Sequence, residues 1–345
     1  MPGASGMARA RIMCFLAPAI CFRIRPSETA GLRLLPVTAS PETLLVELSA
    51  VVVAVTADEP RVLAIENGEA LPSGPFESAH RTLELGLRAW VEEQTRLPLG
   101  YVEQLYTFAD RGRAADELDK RVISLSYLAL AREARALPGA GWHNWYRYFP
   151  WEDWRDGPNL LVAETILPRL GAWAAAAEEA ELRRHRRQRV AIAFGADARN
   201  WNEELVLQRF ELLFEAGLVP EASRDRPLPV DPFLPGQTMM HDHRRILATG
   251  IARLRAKIKY RPVVFELMPQ AFTLLHLQRT VEALAGRRLH KQNFRRFIES
   301  QGLVEETGDM TAGTGGRPAK LVRFRREVLL ERAASGTKLP LSRSA

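Results

Sequence analysis

One short segment near the C-terminus carries side chains of the types that can read nucleic acid. Lys291, Gln292, Asn293, Arg295 and Arg296 fall within residues 290–300, where Phe294, Phe297 and Ile298 predict a helix with one buried face. Arg, Asn and Gln on an exposed helix face can pair with base edges in the major groove. A glycine-rich stretch, 308–317, ends in Arg317 and leads to Lys320, placed to meet a phosphate or the minor groove. Arg287 and Arg288, just upstream, suit phosphates.

A second group lies in the first third of the chain. Gly74 is followed by His80, Arg88 and the adjacent carboxylates Glu92 and Glu93. Paired carboxylates can hold a hard divalent cation such as Mg²⁺, but a multi-metal site needs more of them. The plain alternative is a surface helix carrying an Arg88–Glu92 pair one turn apart.

Other clusters weigh less. His241 and His243 are too closely spaced on a helix to share a metal, because positions i and i+2 point apart. The run 183–189 (RRHRRQR) reads as a solvated helix terminus matched to the helix dipole rather than a DNA contact. Residues 141–155 hold four of the seven tryptophans and are expected to pack in a core or a dimer interface rather than stack on a base. Gly313–Gly316 lacks the Gly-Lys-Ser/Thr ending of a phosphate loop. Cys14 and Cys21 alone supply neither a disulfide framework nor a four-ligand zinc site.

The elements that must position these residues follow from patterning. Residues 44–56 predict a buried strand, 61–65 a second ended by Asn67-Gly68, and 71–74 a loop. Leu83, Leu87, Trp90 and Val91 make one apolar stripe on a helix over 78–94. Two strands, 101–108 and 121–130, flank a charged loop at 110–120. Helices are expected at 159–189, 201–216 and 241–259, with a linker at 227–235. Thr273 caps a helix over 274–285 whose Leu274, Leu277, Val281 and Leu284 face a core, and Gly286 ends it. Residues 303–307 and 320–325 can form a hairpin, which completes a winged helix-turn-helix.

Charge divides the 345-residue chain along the same line. Its net charge is +7, with 48 Lys+Arg against 41 Asp+Glu. Residues 241–345 hold 21 basic and 9 acidic side chains, a net of +12, so the remainder is net −5. A basic module meeting a polyanion is attached to an acidic body. Hydrophobic content of 46% excludes disorder throughout, and no apolar run is long enough to span a membrane. The arginine-flanked apolar run 12–22 has too short a core for an export signal. It is expected to be a tail, a first strand or the product of an early start codon, with the protein cytoplasmic.

The order of motifs resembles a known family. The Nudix pattern is glycine, five residues, glutamate, seven residues, Arg-Glu, two residues, Glu-Glu, one residue, glycine. From Gly74 the chain keeps Arg88, Glu92 and Glu93, but has His80, Ala89 and Thr95 where two glutamates and the last glycine belong. The strands after it (YVEQLYTFAD and RVISLSYLAL), the segments 241–247 and 254–257, and the winged-helix residues resemble the Nudix-related transcriptional regulators of NAD metabolism. In that last set are Phe272-Thr273-Leu274, Leu277-Gln278, Gly286, Asn293-Phe294-Arg295-Arg296 and Gly316-Arg317-Pro318. The resemblance covers about residues 45–130 and 240–325 and fits the larger alphaproteobacterial subgroup.

It implies an α/β Nudix-like sandwich with a helical insertion, plus a C-terminal α+β winged helix-turn-helix. The expected division is a tail at 1–40, a sensor domain at 41–262 with its insertion at about 138–236, a DNA-binding domain at 263–330, and a tail at 331–345. The function implied is a dimeric repressor of NAD biosynthesis genes. It would bind double-stranded operator DNA through Lys291, Gln292, Asn293, Arg295, Arg296, Arg317 and Lys320. An NAD-related nucleotide such as ADP-ribose would bind near Arg88, Glu92 and Glu93. No cofactor is required; Mg²⁺ on Glu92 and Glu93 is the metal option, and no residue is assigned as catalytic. The rival is a Mg²⁺-dependent pyrophosphohydrolase of ADP-ribose-like nucleoside diphosphates, against which the depleted glutamate set argues. A third is an interaction scaffold using neither site.

Overall fold

The structure, a computed structural model, describes residues 43–109, 120–134, 137–196, 200–224, 233–311, 318–325 and 327. All of them belong to one compact unit, Glu42–Ala345. Both expected tails, the loop 110–119, most of the linker and Arg317 lie outside the described residues.

Strand β1 (Thr43–Thr56) is the middle of the main sheet. Its residues from Leu48 to Ala54 are fully buried. A strand covered on both faces has no polar side to show, so its apolar run is continuous rather than alternating. It runs parallel to β5 (Lys120–Leu130) and antiparallel to both β2 (Glu59–Ala64) and the short β3 (Ser73–Pro75). The turn into β2 places Ala57 and Asp58 at φ 51° and 62°, the mirror-image hairpin turn that matches strand twist. With β4 (Tyr101–Phe108) and β6 (Gly141–Asn144) the order is β4-β5-β1-β2-β6, β3 also lying on β1.

A helix packs on each face of this sheet. Helix α1 (Leu83–Thr95) buries Leu87 and Val91 against Leu48, Ala50, Val52, Tyr127 and Ala129. It starts at 83 rather than 78 because the Thr82 hydroxyl accepts from the Leu85 N–H at 3.2 Å, an N-cap. On the opposite face, Ile246, Leu247, Ile251 and Leu254 lie in a core with Val51, Val53, Leu128 and Leu130. Those four belong to α5 (His243–Lys257). A Cβ on Gly250 would come within 2.8 Å of Val51, so glycine there lets helix and strand meet.

The middle of the chain departs from expectation in three places. The single helix expected over 159–189 is broken into a wide turn at Val162–Ile166 running into α2 (Leu167–Ala175), and α3 (Ala180–Phe194). The arginine run lies in the first half of α3, so matching to a C-terminal dipole does not apply. Arg183 instead donates to the carbonyls of Ala177 and Glu178, and Arg186 to that of Trp173, beyond and within the end of α2. Helix carbonyls in the last turn have no partner of their own and need such donors. The stretch expected to open an insertion begins instead with β6, the edge of the main sheet, and continues into the core. Trp145 and Trp151 are completely buried there, and Trp154 packs on Trp201 at 4.5 Å. The third departure is α4 (Val206–Glu215), which starts five residues later than expected.

The C-terminal part follows its punctuation. Helix α6 (Leu274–Ala285) is capped by Thr273, whose hydroxyl accepts from the His276 N–H at 3.1 Å, and ends at Gly286 with φ 73°. Helix α7 (Lys291–Ser300) and the hairpin β7 (Val304–Met310) and β8 (Lys320–Phe324) complete it. Buried Glu282 ties the helix-turn-helix corner by accepting from Gln278, from the Leu289 N–H and from Arg288. One expectation fails: Phe297 is 53% exposed, and only Phe294 and Ile298 bury α7.

A buried carboxylate joins the two parts. Glu152 accepts from Arg209 of α4 at 2.8 Å and from Arg255 of α5 at 2.6 Å, all three side chains being within about 1% of complete burial. Arg255 then donates to the Leu284 carbonyl at 2.8 Å, Tyr146 to that of Ala283 and the Trp154 N–H to that of Gly286, both at 2.7 Å. The last turn of α6 is thereby capped by the tryptophan-rich segment and the sensor helix. Removing one partner of a buried ion pair leaves an uncompensated charge. Glu152→Ala is expected to cost about 3–5 kcal/mol, read as a lower urea midpoint.

Candidate nucleic-acid interface and sensor face

Helix α7 presents three faces. Phe294 and Ile298 hold it to the core. Gln292, Arg295 and Arg296 are exposed, and among the described residues neither arginine makes an ion pair. At helical spacing His290, Asn293, Phe297 and Gln301 fall on another flank, and all four line a cleft beside α5. Asn293, three residues before Arg296, lies between that flank and the arginine face. Lys291 is exposed at the first turn. Lys320 sits on the wing, 65% exposed, and pairs with Glu306 at 2.8 Å. Arg288 is held by Glu282 at 3.2 Å, whereas Arg287 reaches Glu203 only at 3.7 Å.

The residues around α1 form a loop–helix–loop whose fixed parts are structural. Gly74 lies under Trp90, where a Cβ would stand 2.4 Å from the indole. Arg88 pairs with Glu84, at 2.8 Å, rather than with Glu92. It also donates to the carbonyls of Leu99 and Gly100, which holds the exit of α1 against the start of β4. His80 accepts from the Glu77 N–H and packs with Phe76 and Trp90. Thr95 is buried and donates to the Val91 carbonyl, while Arg96 takes the left-handed turn at φ 59°. Glu92 and Glu93 are exposed, and no group of three or more His, Cys, Asp or Glu side chains gathers among the described residues.

Sequence reasoning missed a polar row on the other face of the sheet. Parallel register places Glu47 beside Ser124 and Ser49 beside Ser126, on the face that further along carries Val51 and Leu128. Ser73 of β3 lies beside Ser49. The Ser49 and Ser124 hydroxyls are buried without a hydrogen-bond partner among the described residues. Burial raises the Glu47 carboxyl above its ordinary value, against a smaller opposing effect of a Ser73 hydrogen bond. Buried polar groups are normally paired, so this row stands out. The alternation of serine with Ile123 and Leu125 was its signal in the sequence.

His243 neighbours this face. Its Nδ1 accepts from the Leu71 N–H at 3.0 Å, and its Nε2 is buried without a partner among the described residues. His241 precedes α5, so the two rings approach edge to face at 5.9 Å instead of pointing apart. The fixed Nδ1 bond still leaves the pair a poor metal site.

The mixed sheet between α1 and α5, with the Gly74–Thr95 loop–helix–loop, is a Nudix-like α/β sandwich, and it is followed by a winged helix. Residues 264–324 match the NrtR DNA-binding winged helix domain family. The chain is 43% identical over 83 residues to the ADPR responsive transcriptional repressor NtrR of Acinetobacter baylyi, a match that takes in 24% of this chain and 33% of that protein. Among solved structures it is similar to Shewanella oneidensis NrtR complexed with a 27mer DNA, at 18% identity and a TM-score of 0.48, over 82% of this chain and 94% of that one. A MutT/nudix family protein from Enterococcus faecalis gives 16% identity and 0.47, over 83% and 88%. Among the described residues no helix is long and apolar enough to cross a membrane.

His243 sets a pH dependence. Burial first, then the positive surroundings of His241 and Arg224, push its pKa down from 6.5 to about 3. The unfolded chain therefore binds more protons than the folded one below 6.5, and stability is full above that pH. It is lost as pH falls from 6.5 toward 3, with a slope of up to about 1.4 kcal/mol per unit. Urea midpoints measured at pH 7.5 and 5 should show the drop. His243→Asn, whose amide oxygen can take the Leu71 bond, should flatten it.

Proposed function

We propose that the chain is a ligand-responsive transcriptional repressor that controls NAD biosynthesis genes from the cytoplasm. The observation that carries this reading is the exposed, unpaired basic face of α7 on an NrtR-type winged helix whose α6 is capped by the sensor domain. Arg295, Arg296 and Gln292 read bases. Lys291, Lys320, Arg287 and Arg317 serve the backbone. Two half-sites demand two-fold symmetry, so the operator is palindromic and the protein binds as a homodimer.

The effector is an NAD-related nucleotide, with ADP-ribose the first choice. Serine hydroxyls and a carboxylate suit a polyhydroxyl sugar, as acidic side chains do for the ribose of dinucleotides elsewhere. Glu47, Ser49 and Ser124 are the polar floor we assign to it. Arg88 acts as a positioning residue rather than a ligand contact, because its guanidinium is engaged at three carbonyl or carboxylate groups. Glu92 and Glu93 remain open to a divalent cation. The nucleotide regulates only to the extent that it prefers one of the DNA-competent and DNA-incompetent states.

The test is a gel shift on the gene's own upstream region and on NAD-synthesis promoters, repeated with NAD, ADP-ribose, nicotinate nucleotides and ATP. A specific shift altered by one of these is expected, and its absence with folded protein at moderate salt sinks the reading. Arg295→Ala or Arg296→Ala should cost about 1–3 kcal/mol of operator binding where the residue reads a base. Glu47→Gln should weaken ADP-ribose in calorimetry while leaving operator affinity in its absence unchanged.

A further inference from the structure

A cleft of about 830 Å³ lies between the end of α5, the segment that follows it, and helices α6 and α7. That is within the range of small-molecule pockets. Its apolar floor includes Val264, Phe265, Leu277, Phe294 and Ile298. Two aromatic side chains stand at it half exposed or more, Tyr260 at 64% and Phe297 at 53%. Large apolar groups left open to water in a concave setting mark binding surfaces.

The lining is basic. Of its five arginine and lysine side chains, Arg255 is held by Glu152 and Arg288 by Glu282, which leaves Lys259, Arg261 and Arg287 with the one lining carboxylate, Glu203. That carboxylate is already taken by Lys259 at 2.8 Å, so Arg287, at 3.7 Å, is weakly served. Arg261 is exposed and makes no ion pair among the described residues. Asn293, His290 and Gln301 add hydrogen-bonding groups on the α7 flank. Flat apolar surface beside unsatisfied cations fits a planar ring bearing a negative group.

We propose that this cleft is a binding site for a small aromatic anion, distinct from the sensor face around Glu47. Its occupancy acts on DNA binding directly, because α7 is one wall of the cleft and carries Arg295 and Arg296 on its next face. The capped end of α6 keeps the cleft formed without ligand. The proposal does not depend on the nature of the sensor's own effector.

The probe is 1-anilinonaphthalene-8-sulfonate, titrated by fluorescence against the full chain, with uncharged N-phenyl-1-naphthylamine as comparator. One saturable site is expected, at least tenfold tighter for the anion. Arg261→Gln with Arg287→Gln should weaken the anion at least tenfold and leave the neutral probe unchanged, whereas Phe297→Ala should weaken both. These side chains are exposed, so melting curves should not move. If the double variant does unfold, Arg261→Gln alone carries the test, with at least a threefold loss expected for the anion only. Equal binding of the two probes, or no loss in the variants, overturns the proposal. So does one-for-one displacement by ADP-ribose, which would place the probe in the sensor site. Displacement by a random-sequence duplex in a way that Arg261→Gln abolishes would make the cleft a DNA-backbone contact, and displacement on self-association would make it an interface between copies. Either also overturns it.

Discussion

The arrangement of this chain depends on a carboxylate placed where no water reaches. Glu152 faces two guanidiniums, Arg209 and Arg255, each completely buried. Desolvating three charges is costly, and the cost is offset only when every donor and acceptor is used. Here the spare donors of Arg255 go to carbonyls of Leu284 and Glu203, and those of Arg209 to carbonyls of Ala193 and Asn202. One network thus joins the tryptophan-rich segment, two helices of the sensor and the end of the first winged-helix helix.

This makes the joint between sensor and reader a set of directional bonds as well as apolar contact. Gly286 is required at the meeting point, since a Cβ there would lie 2.4 Å from the Glu152 carbonyl oxygen. The outer link, Arg279 with Asp58 at 2.9 Å, is exposed and contributes little by comparison. Helix α5 touches β1 at Gly250 and holds the α6 terminus through Arg255. Helix α7 is attached to α6 through Glu282 and a small apolar face, which leaves a basic face open on one side and the cleft on the other.

The depleted Nudix helix fits this picture as scaffold. Arg88 binds Glu84 and two carbonyls, His80 fills the space beside Trp90, and Arg96 turns the chain where glycine is absent. Of the departures from the pattern, His80 and Thr95 have packing roles and Ala89 is exposed, and none supplies a carboxylate near Glu92 and Glu93. Across the sheet, the buried hydroxyls of Ser49 and Ser124 lack partners among the described residues.

Local pattern alone was enough for β1, β2, β4 and β5, because an apolar run bounded by turn residues leaves few choices, but not for β3, where a loop was expected, or β6. It was enough for the helix caps at Thr273 and Gly286, because only certain residues satisfy free helix ends. It was enough also for the basic reading helix and the charge division. Tertiary structure decided everything that depends on residues distant in sequence. Ser49 and Ser126, and likewise Glu47 and Ser124, became neighbours only through parallel register. Arg88 chose Glu84 over Glu92 because the carbonyls of Leu99 and Gly100 lie on that side. Phe297 was left half exposed by the space beside α5, although its helical spacing matched a buried position. Nothing in the local pattern brings Glu152, Arg209 and Arg255 together, and only their simultaneous burial made them the joint. Spacing along one element sets which side chains share a face; what that face meets is set by the packing of the whole chain.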